Sequence, residues 1–287
     1  MVRIFGGLIG LGFALALLCA LGTSLYGLAT DPAKPTAEHE FHKHPRELHL
    51  ASDGPFGGFS KNTRQLQRGL QVYKEVCSAC HSLRLVSFQD LKGLGYDDGQ
   101  VKTFAKEFNV PAPNPETGEM STRPGLPSDK FPLVFANDIA ARAANNNAVP
   151  PDLSLMTKAR ENGPSYIYSL ITGFTDQKGY KNEKGQELLK EFPEAATPKG
   201  LHFNPYFANL NLAMAPPLTT EGQVQYVDGT RPTVDQMAQD VAAFLVWTAE
   251  PKLEARHTTG LAVVIFLGIF CFLAYGAYLS VWRDVKH

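Results

Sequence analysis

The chain has 287 residues, 44% of them apolar and 19% charged, with a formal net charge of −1. That is an ordinary globular composition, and the near-neutral charge argues against a nucleic-acid binder, which needs a basic face. Between two apolar ends, residues 31–258 carry 24 basic and 27 acidic side chains, a charge of −3 that favours a basic partner only weakly.

The first element is the uncharged run Ile4–Ala29, preceded by Arg3. It is longer than the apolar core of a secretory signal, and "LYGLAT" is a poor cleavage site. A retained anchor is therefore favoured over a removed signal peptide. Either segment sends residues 31–258 across the membrane. No Arg- and Ser-rich transit peptide precedes it, which favours a bacterial over a mitochondrial source. Residues 31–58, rich in Pro, Gly and charge without a sustained period, read as a linker. Its His39, His42, His44 and His49 can bind a metal, but a solvated polar segment is the plainer reading.

A helix follows. Leu66, Leu70, Tyr73 and Cys77 fall at i, i+4, i+7 and i+11 on one face. Asn62 or Thr63 stands where a cap belongs, and Gly69 leaves room for a second helix to approach. The stretch ends in "CSACH": Cys77, Cys80 and His81. Random placement would produce this triplet about 0.0015 times in a chain of this composition. A closed zinc site wants a second ligand pair, and none is present. A redox CxxC wants a thioredoxin-like βαβ pattern, also missing. CxxC followed directly by His is the c-type haem attachment signature: two thiols add to the two vinyl groups, and the imidazole goes to the iron. Cys19 and Cys271 lie in the apolar ends, so the central region has no disulfide of its own.

Residues 93–155 read mostly as loop, with short helices near 98–108 and 131–144. Residues 164–173 make a short helix with Pro in its first turn and Gly at its end. Residues 175–230 return to loop, with a short hairpin expected near "QVQYVDGTRP", where Asp228-Gly229 is a turn signal. The last soluble helix is capped by Thr233 and closed by Pro251. Met237, Val241, Phe244, Leu245 and Trp247 give it an apolar face. An early haem helix, a late apolar helix and loops between them predict a mainly α, class I cytochrome c-like haem domain with long loop insertions. Gly69 and Tyr73 are expected to pack on the Val241–Leu245 face. Finally Gly260–Trp282 is uncharged and about 35 Å long as a helix, enough to span a bilayer. Tyr275, Tyr278 and Trp282 suit the lipid interface, and Arg283 and Lys286 place that end in the cytoplasm. The expected boundaries are 1–30 for the N-terminal membrane segment or signal, 31–58 for the linker, 59–252 for the haem domain, and 253–287 for the anchor and tail.

The second axial position decides the chemistry: an open one permits gas binding or peroxide chemistry, a filled one only electron transfer. Met214, in "NLNLAMAPPL", is favoured because Pro216 and Pro217 stiffen its loop. Met156, a histidine and an open site remain alternatives at this point. A haem subunit of another membrane complex, such as a terminal oxidase, and a haem enzyme or gas sensor are the rival functions.

Five blocks, in order, resemble the cytochrome c1 family, the haem subunit of the quinol:cytochrome c oxidoreductase or bc1 complex. They are "RGLQVYKEVCSACHSL", "RAANNNAVPPDLS", "LMTKARENGPSYIYSLITGF", "LHFNPYFANLNLAMAPPL" and "DVAAFLVWTAEP", followed by the single anchor. The resemblance runs from about Asp53 to the C-terminus. It implies one covalent haem c on Cys77 and Cys80, with His81 and Met214 as iron ligands. It also implies that Arg160 binds a propionate, and that Asn145, Pro150, Pro151 and Tyr166 lie near the haem. A proline carbonyl is expected to accept the other ring N–H of His81. The implied role is one-electron transfer from a Rieske iron–sulfur protein to a soluble or membrane-anchored c-type cytochrome. This is a non-catalytic part of a dimeric complex that includes a cytochrome b subunit and sits in lipid. It implies no nucleic acid, a periplasmic haem domain on the inner membrane and a cytoplasmic C-terminus. Two features depart from the family. Some bacterial relatives carry an extra cysteine pair that this chain lacks, and bacterial members usually have a cleaved signal.

Overall fold

The computed structural model describes residues 2–31, 34–60 and 62–284. Lys286, one of the two cations used to orient the anchor, lies outside them. In chain order the described residues form α1 (Val2–Thr30), α2 (Ala37–Phe41), α3 (Thr63–Glu75), α4 (Asp98–Lys106), α5 (Asp138–Ala144), α6 (Met156–Ala159), α7 (Gly163–Thr172), α8 (Leu188–Glu191), α9 (Val234–Ala249) and α10 (Leu253–Trp282). Two antiparallel hairpins complete them: β1 (Asn109–Pro113) with β2 (Met120–Pro124), and β3 (His202–Phe203) with β4 (Asn211–Leu212).

The domain is organised by α3 crossing α9. A Cβ on Gly69 would overlap the Asp240 carbonyl oxygen and the Phe244 Cβ, so only glycine lets the two backbones come this close. The Tyr73 ring sits 5.9 Å from those of Phe244 and Phe131. Leu66, Leu70, Val241 and Leu245 are buried around it, as the periodicity of both helices predicts. At the same crossing lies a buried charge. Asp240 is 0% exposed and accepts from Arg68 Nε at 2.8 Å, Arg68 Nη2 at 3.1 Å and Gln236 Nε2 at 2.8 Å. Arg68 Nη1 also reaches Asp228 at 2.7 Å. Burial opposes the Arg68 charge, but the two carboxylates outweigh it and hold the guanidinium above its ordinary range.

Several elements differ from expectation. Helix α3 stops at Glu75, and Cys77 sits in a following 3-10 turn rather than on the α3 face. Asn62 occupies the N-cap position, but its Nδ2 donates to the Gln65 side chain at 2.5 Å instead of its oxygen capping the backbone. Only Asp138–Ala144 of the expected 131–144 helix forms, because Asn137 caps it from a fully extended backbone. No strands form near 223–232; Asp228-Gly229 makes only a turn, with Gly229 at φ 80°. A hairpin instead stands at β1–β2, in a stretch read as loop because of its prolines. Both strands are edges, where a missing N–H costs little. Helix α10 begins at Leu253, ahead of the uncharged run.

The segment read as a linker is held over most of its length. It runs along α7, whose Ser169 and Ser165 hydroxyls accept the Arg46 and Leu48 N–H groups at 2.8 and 3.2 Å. The Arg46 guanidinium lies 4.6 Å from the Tyr168 ring centroid. Further on, the Gly57 carbonyl meets His257 Nδ1 at 3.0 Å, and Ser60 N–H donates to Glu254 Oε1 at 2.6 Å at the root of α10. Composition reads as linker because only a few residues, such as Phe41, point inward; His39, His42, His44 and His49 are all exposed.

The α9–α10 junction is pinned by Glu250, which takes Lys158 at 2.6 Å and Arg256 at 2.9 Å. Burial works against this carboxylate, but the two cations outweigh it and its pKa falls below the ordinary value. A depressed carboxylate pKa stabilises the fold above the unfolded-state pKa, and that stability disappears as pH falls through the folded-state one. Replacing both Lys158 and Arg256 by Ala should cost about 0.5–1 kcal/mol at neutral pH, since both cations are half exposed. In denaturant titrations the gap should shrink as the pH falls below the unfolded-state carboxylate pKa and close once it has passed through the folded-state one. A gap that persisted there would assign the loss to packing.

Candidate functional site

The Cys77–Ala79 turn brings three reactive side chains together. The N–H groups of Cys80 and His81 both point at the Cys77 carbonyl, at 3.2 and 2.9 Å, and Ser78 Oγ donates to Lys74 O at 2.7 Å. This single turn presents two free thiols and one imidazole. Cys77 is half-buried and Cys80 exposed. Burial, with the neighbouring Cys80 adding to it, pushes the Cys77 thiol up to about 12.

His81 is fixed from two sides. Its Nδ1 lies 2.8 Å from the Pro151 carbonyl oxygen. A carbonyl can only accept, so Nδ1 carries the proton and Nε2 keeps a free lone pair. The Tyr73 hydroxyl donates to the His81 backbone carbonyl at 3.0 Å. Burial holds the imidazole below its ordinary pKa, with Pro151 and Asp152 opposing only in part. The neutral ring is the form that binds a metal.

Pro151 is itself held by a ladder between residues 82–85 and 152–154. Leu153 N–H donates to Ser82 O at 2.9 Å, Arg84 N–H to Asp152 Oδ2 at 2.9 Å, and Leu85 N–H to Ser154 Oγ at 3.1 Å. Asp152 Oδ1 also accepts Ser154 N–H at 2.9 Å. The sequence marks Tyr73 as a packing residue and not as a support for His81, and it does not mark Asp152 at all. Asp152 stands in the quoted "PPDLS" block, and an Asp two residues before a Ser is the only local hint of such a turn.

The remaining residues lie on other elements. Arg160 ends α6; its Nη1 donates to Ala159 O at 3.0 Å, and it makes no ion pair among the described residues. Burial raises the Tyr166 phenol, with Arg160 close enough to oppose it. The structure therefore brings Arg160 and Tyr166 together. Asn145 ends α5, and its Nδ2 is engaged by Ala141 O at 2.7 Å. Pro150 is half-buried beside Pro151. Among the methionines of the described residues, Met120 is exposed on β2, while Met156 and Met237 are packed in the main core. Met214 is half-buried on the loop after β4, ahead of Pro216 and Pro217.

This donor set fits a covalently held iron porphyrin. Two thiols on one turn can form the two thioethers, a neutral imidazole oriented through Nδ1 is an iron ligand, and an unpaired guanidinium suits a propionate.

Sequence comparison gives the same direction. Residues 50–285 match the Cytochrome C1 family. The chain is 46% identical to "Cytochrome c1" of Rhodospirillum rubrum over 243 residues, covering 82% of this chain and 86% of the relative. It is 40% identical over 257 residues to the mitochondrial heme protein "Cytochrome c1 1" of Arabidopsis thaliana, covering 89% and 77%. A third relative, "Cytochrome b/c1" of Bradyrhizobium diazoefficiens, is 44% identical over 239 residues; these cover 80% of this chain but 34% of that longer protein.

Proposed function

The chain belongs to the Cytochrome c1 family, and from that premise we propose that it takes single electrons from a Rieske iron–sulfur protein and passes them to a c-type cytochrome. It is a membrane-anchored, haem c-containing electron-transfer subunit of a bc1 complex, in which cytochrome b is its companion. The observation that carries the proposal is the Cys77–His81 turn, with His81 Nδ1 fixed on the Pro151 carbonyl.

Cys77 and Cys80 tether the porphyrin. His81 through Nε2 and Met214 through sulfur would be the iron ligands, and Arg160, beside Tyr166, would neutralise a propionate. Asn145, Pro150 and Pro151 complete the surroundings. When bound, the haem supplies a one-electron Fe(III)/Fe(II) couple. The Pro151 carbonyl keeps the imidazole oriented through that cycle, so no side chain of this chain needs to exchange a proton or move. Hence the chain does no substrate chemistry of its own. Arg3 lies in the first turn of α1 and Arg283 directly follows α10, at the outer ends of the two spanning-length helices. The positive-inside rule supports reading the haem domain, residues 59–252, as periplasmic and the tail of the 253–287 anchor as cytoplasmic. The complex is a dimer.

In the purified complex, quinol should reduce the c-type haem only while the Rieske protein is present. Adding that protein back should restore the rate, and a ferric c-type cytochrome should then reoxidise the chain. Full-rate reduction without the Rieske protein would overturn the assignment.

A further inference from the structure

Leu210 has φ 63°, in the left-handed region. The other non-glycine residues found there among the described residues are Asn146, Asn147 and Asn162, and asparagine tolerates that conformation. A leucine there is strained, and it persists only where its surroundings over-determine it.

The surroundings do so. Leu210 is 2% exposed, in a small second core with Ala37, Phe41, Leu188 and Phe203. Its N–H donates to Phe207 O at 2.8 Å, and its carbonyl accepts Asn204 N–H at 2.8 Å, closing the β3–β4 hairpin. Asn204 is fully buried and donates to Leu170 O on α7 at 2.7 Å. The rest of the enclosure comes from the distant amino-terminal segment. Phe41 is 1% exposed, its ring 6.0 Å from that of Phe192. Lys43 N–H donates to Pro205 O at 2.7 Å, inside the hairpin, and Asn182 Nδ2 and Tyr180 OH reach the Glu40 and Phe41 carbonyls at 3.3 Å. Met214 stands four residues beyond Leu210, two residues after the end of β4.

We propose that the small core built on Phe41 and Leu210 is a clamp that sets the position of Met214, making both of them positioning residues for the sixth iron ligand. The inference rests on Met214 being that ligand. A thioether is a weak, neutral donor on a long loop, and the entropy of a free loop competes directly with its bond to iron. Anchoring the hairpin at Leu210 removes that freedom close to the sulfur. The strain at Leu210 makes the loop end where it does, and burial under Phe41 keeps it there.

Imidazole competes with a weakly held thioether for ferric iron, so its affinity reports how firmly Met214 is held. It is titrated into the full-length holoprotein in its native complex, following the near-infrared thioether-to-iron band as well. Phe41→Ala and Leu210→Ala should bind imidazole at least about tenfold more tightly than the parent, equivalent to about 1.4 kcal/mol. The milder Phe41→Leu, which keeps an apolar side chain, should bind imidazole more tightly than the parent but by a smaller factor, and it carries the test if the Ala variants do not assemble. Leu91→Ala, a truncation in the main core, should lower stability without changing the affinity. Parent-like affinity and an intact band in the Phe41 and Leu210 series, beside a strongly altered Met214→Leu, would overturn the clamp alone. An equal gain in Leu91→Ala would do the same, by making the effect global. An unaltered Met214→Leu would overturn the ligand assignment and the clamp with it.

Discussion

Met214→Leu should lower the midpoint potential of the haem by on the order of 100 mV or more. A thioether stabilises the ferrous state, and leucine offers no donor in its place while keeping nearly the same apolar volume. The change therefore acts on the iron more than on the fold. For one electron, 100 mV corresponds to about 2.3 kcal/mol, enough to make delivery from a high-potential donor strongly unfavourable. A mediated redox titration of the variant in its complex gives the number directly. An unshifted potential would assign the sixth ligand elsewhere, and to a residue other than Met120, Met156 or Met237, since Met120 is exposed on a hairpin and the other two are committed to core packing.

Arg68→Ala should have the largest effect on stability, a loss of about 3–5 kcal/mol. Asp240 is 0% exposed, and Arg68 supplies two of its hydrogen bonds. Alanine would leave a carboxylate buried at the α3–α9 crossing with Gln236 as its remaining strong donor. A domain of this size is typically stable by about 5–15 kcal/mol, so the variant should unfold at much lower denaturant. The cost comes from the orphaned charge and not from the pair as such. Hence Arg68→Met combined with Asp240→Leu should recover most of the loss. Denaturant midpoints of the holoprotein, followed by tryptophan fluorescence from Trp247 beside this crossing, separate the two cases. Equal losses in the single and double variants would mean that shape, not charge, is what matters there.

What the sequence reveals follows from the range of each interaction. The CSACH turn, the inward face of α3 and the apolar face of α9 are set by spacing within one element, and composition alone exposes them. Gly69 is legible because a glycine inside a strong helical period needs a reason, and close helix approach is the usual one. Tyr73 is legible as core, but its hydrogen bond to the His81 carbonyl depends on how the chain turns after Glu75. Asp152 and Asp240 are ordinary acidic residues until partners 68 and 172 residues away meet them. The β1–β2 hairpin is hidden by its own prolines, which edge strands tolerate. The held segment at 34–50 is hidden for the opposite reason. Two backbone amides, those of Arg46 and Leu48, help to hold it on α7 beside the Arg46 guanidinium, and backbone groups leave no mark in composition. Leu210 is the extreme case: its left-handed conformation is imposed wholly by what surrounds it.

The central claim is a covalent haem whose iron has both axial positions filled by this chain. The ferrous absorption spectrum of the purified complex, with only the c-type haem reduced, recorded before and after addition of carbon monoxide, tests it most directly. A low-spin c-type spectrum that carbon monoxide leaves unchanged is the predicted result. A five-coordinate spectrum, or rapid carbon monoxide binding to the c-type haem, would contradict it.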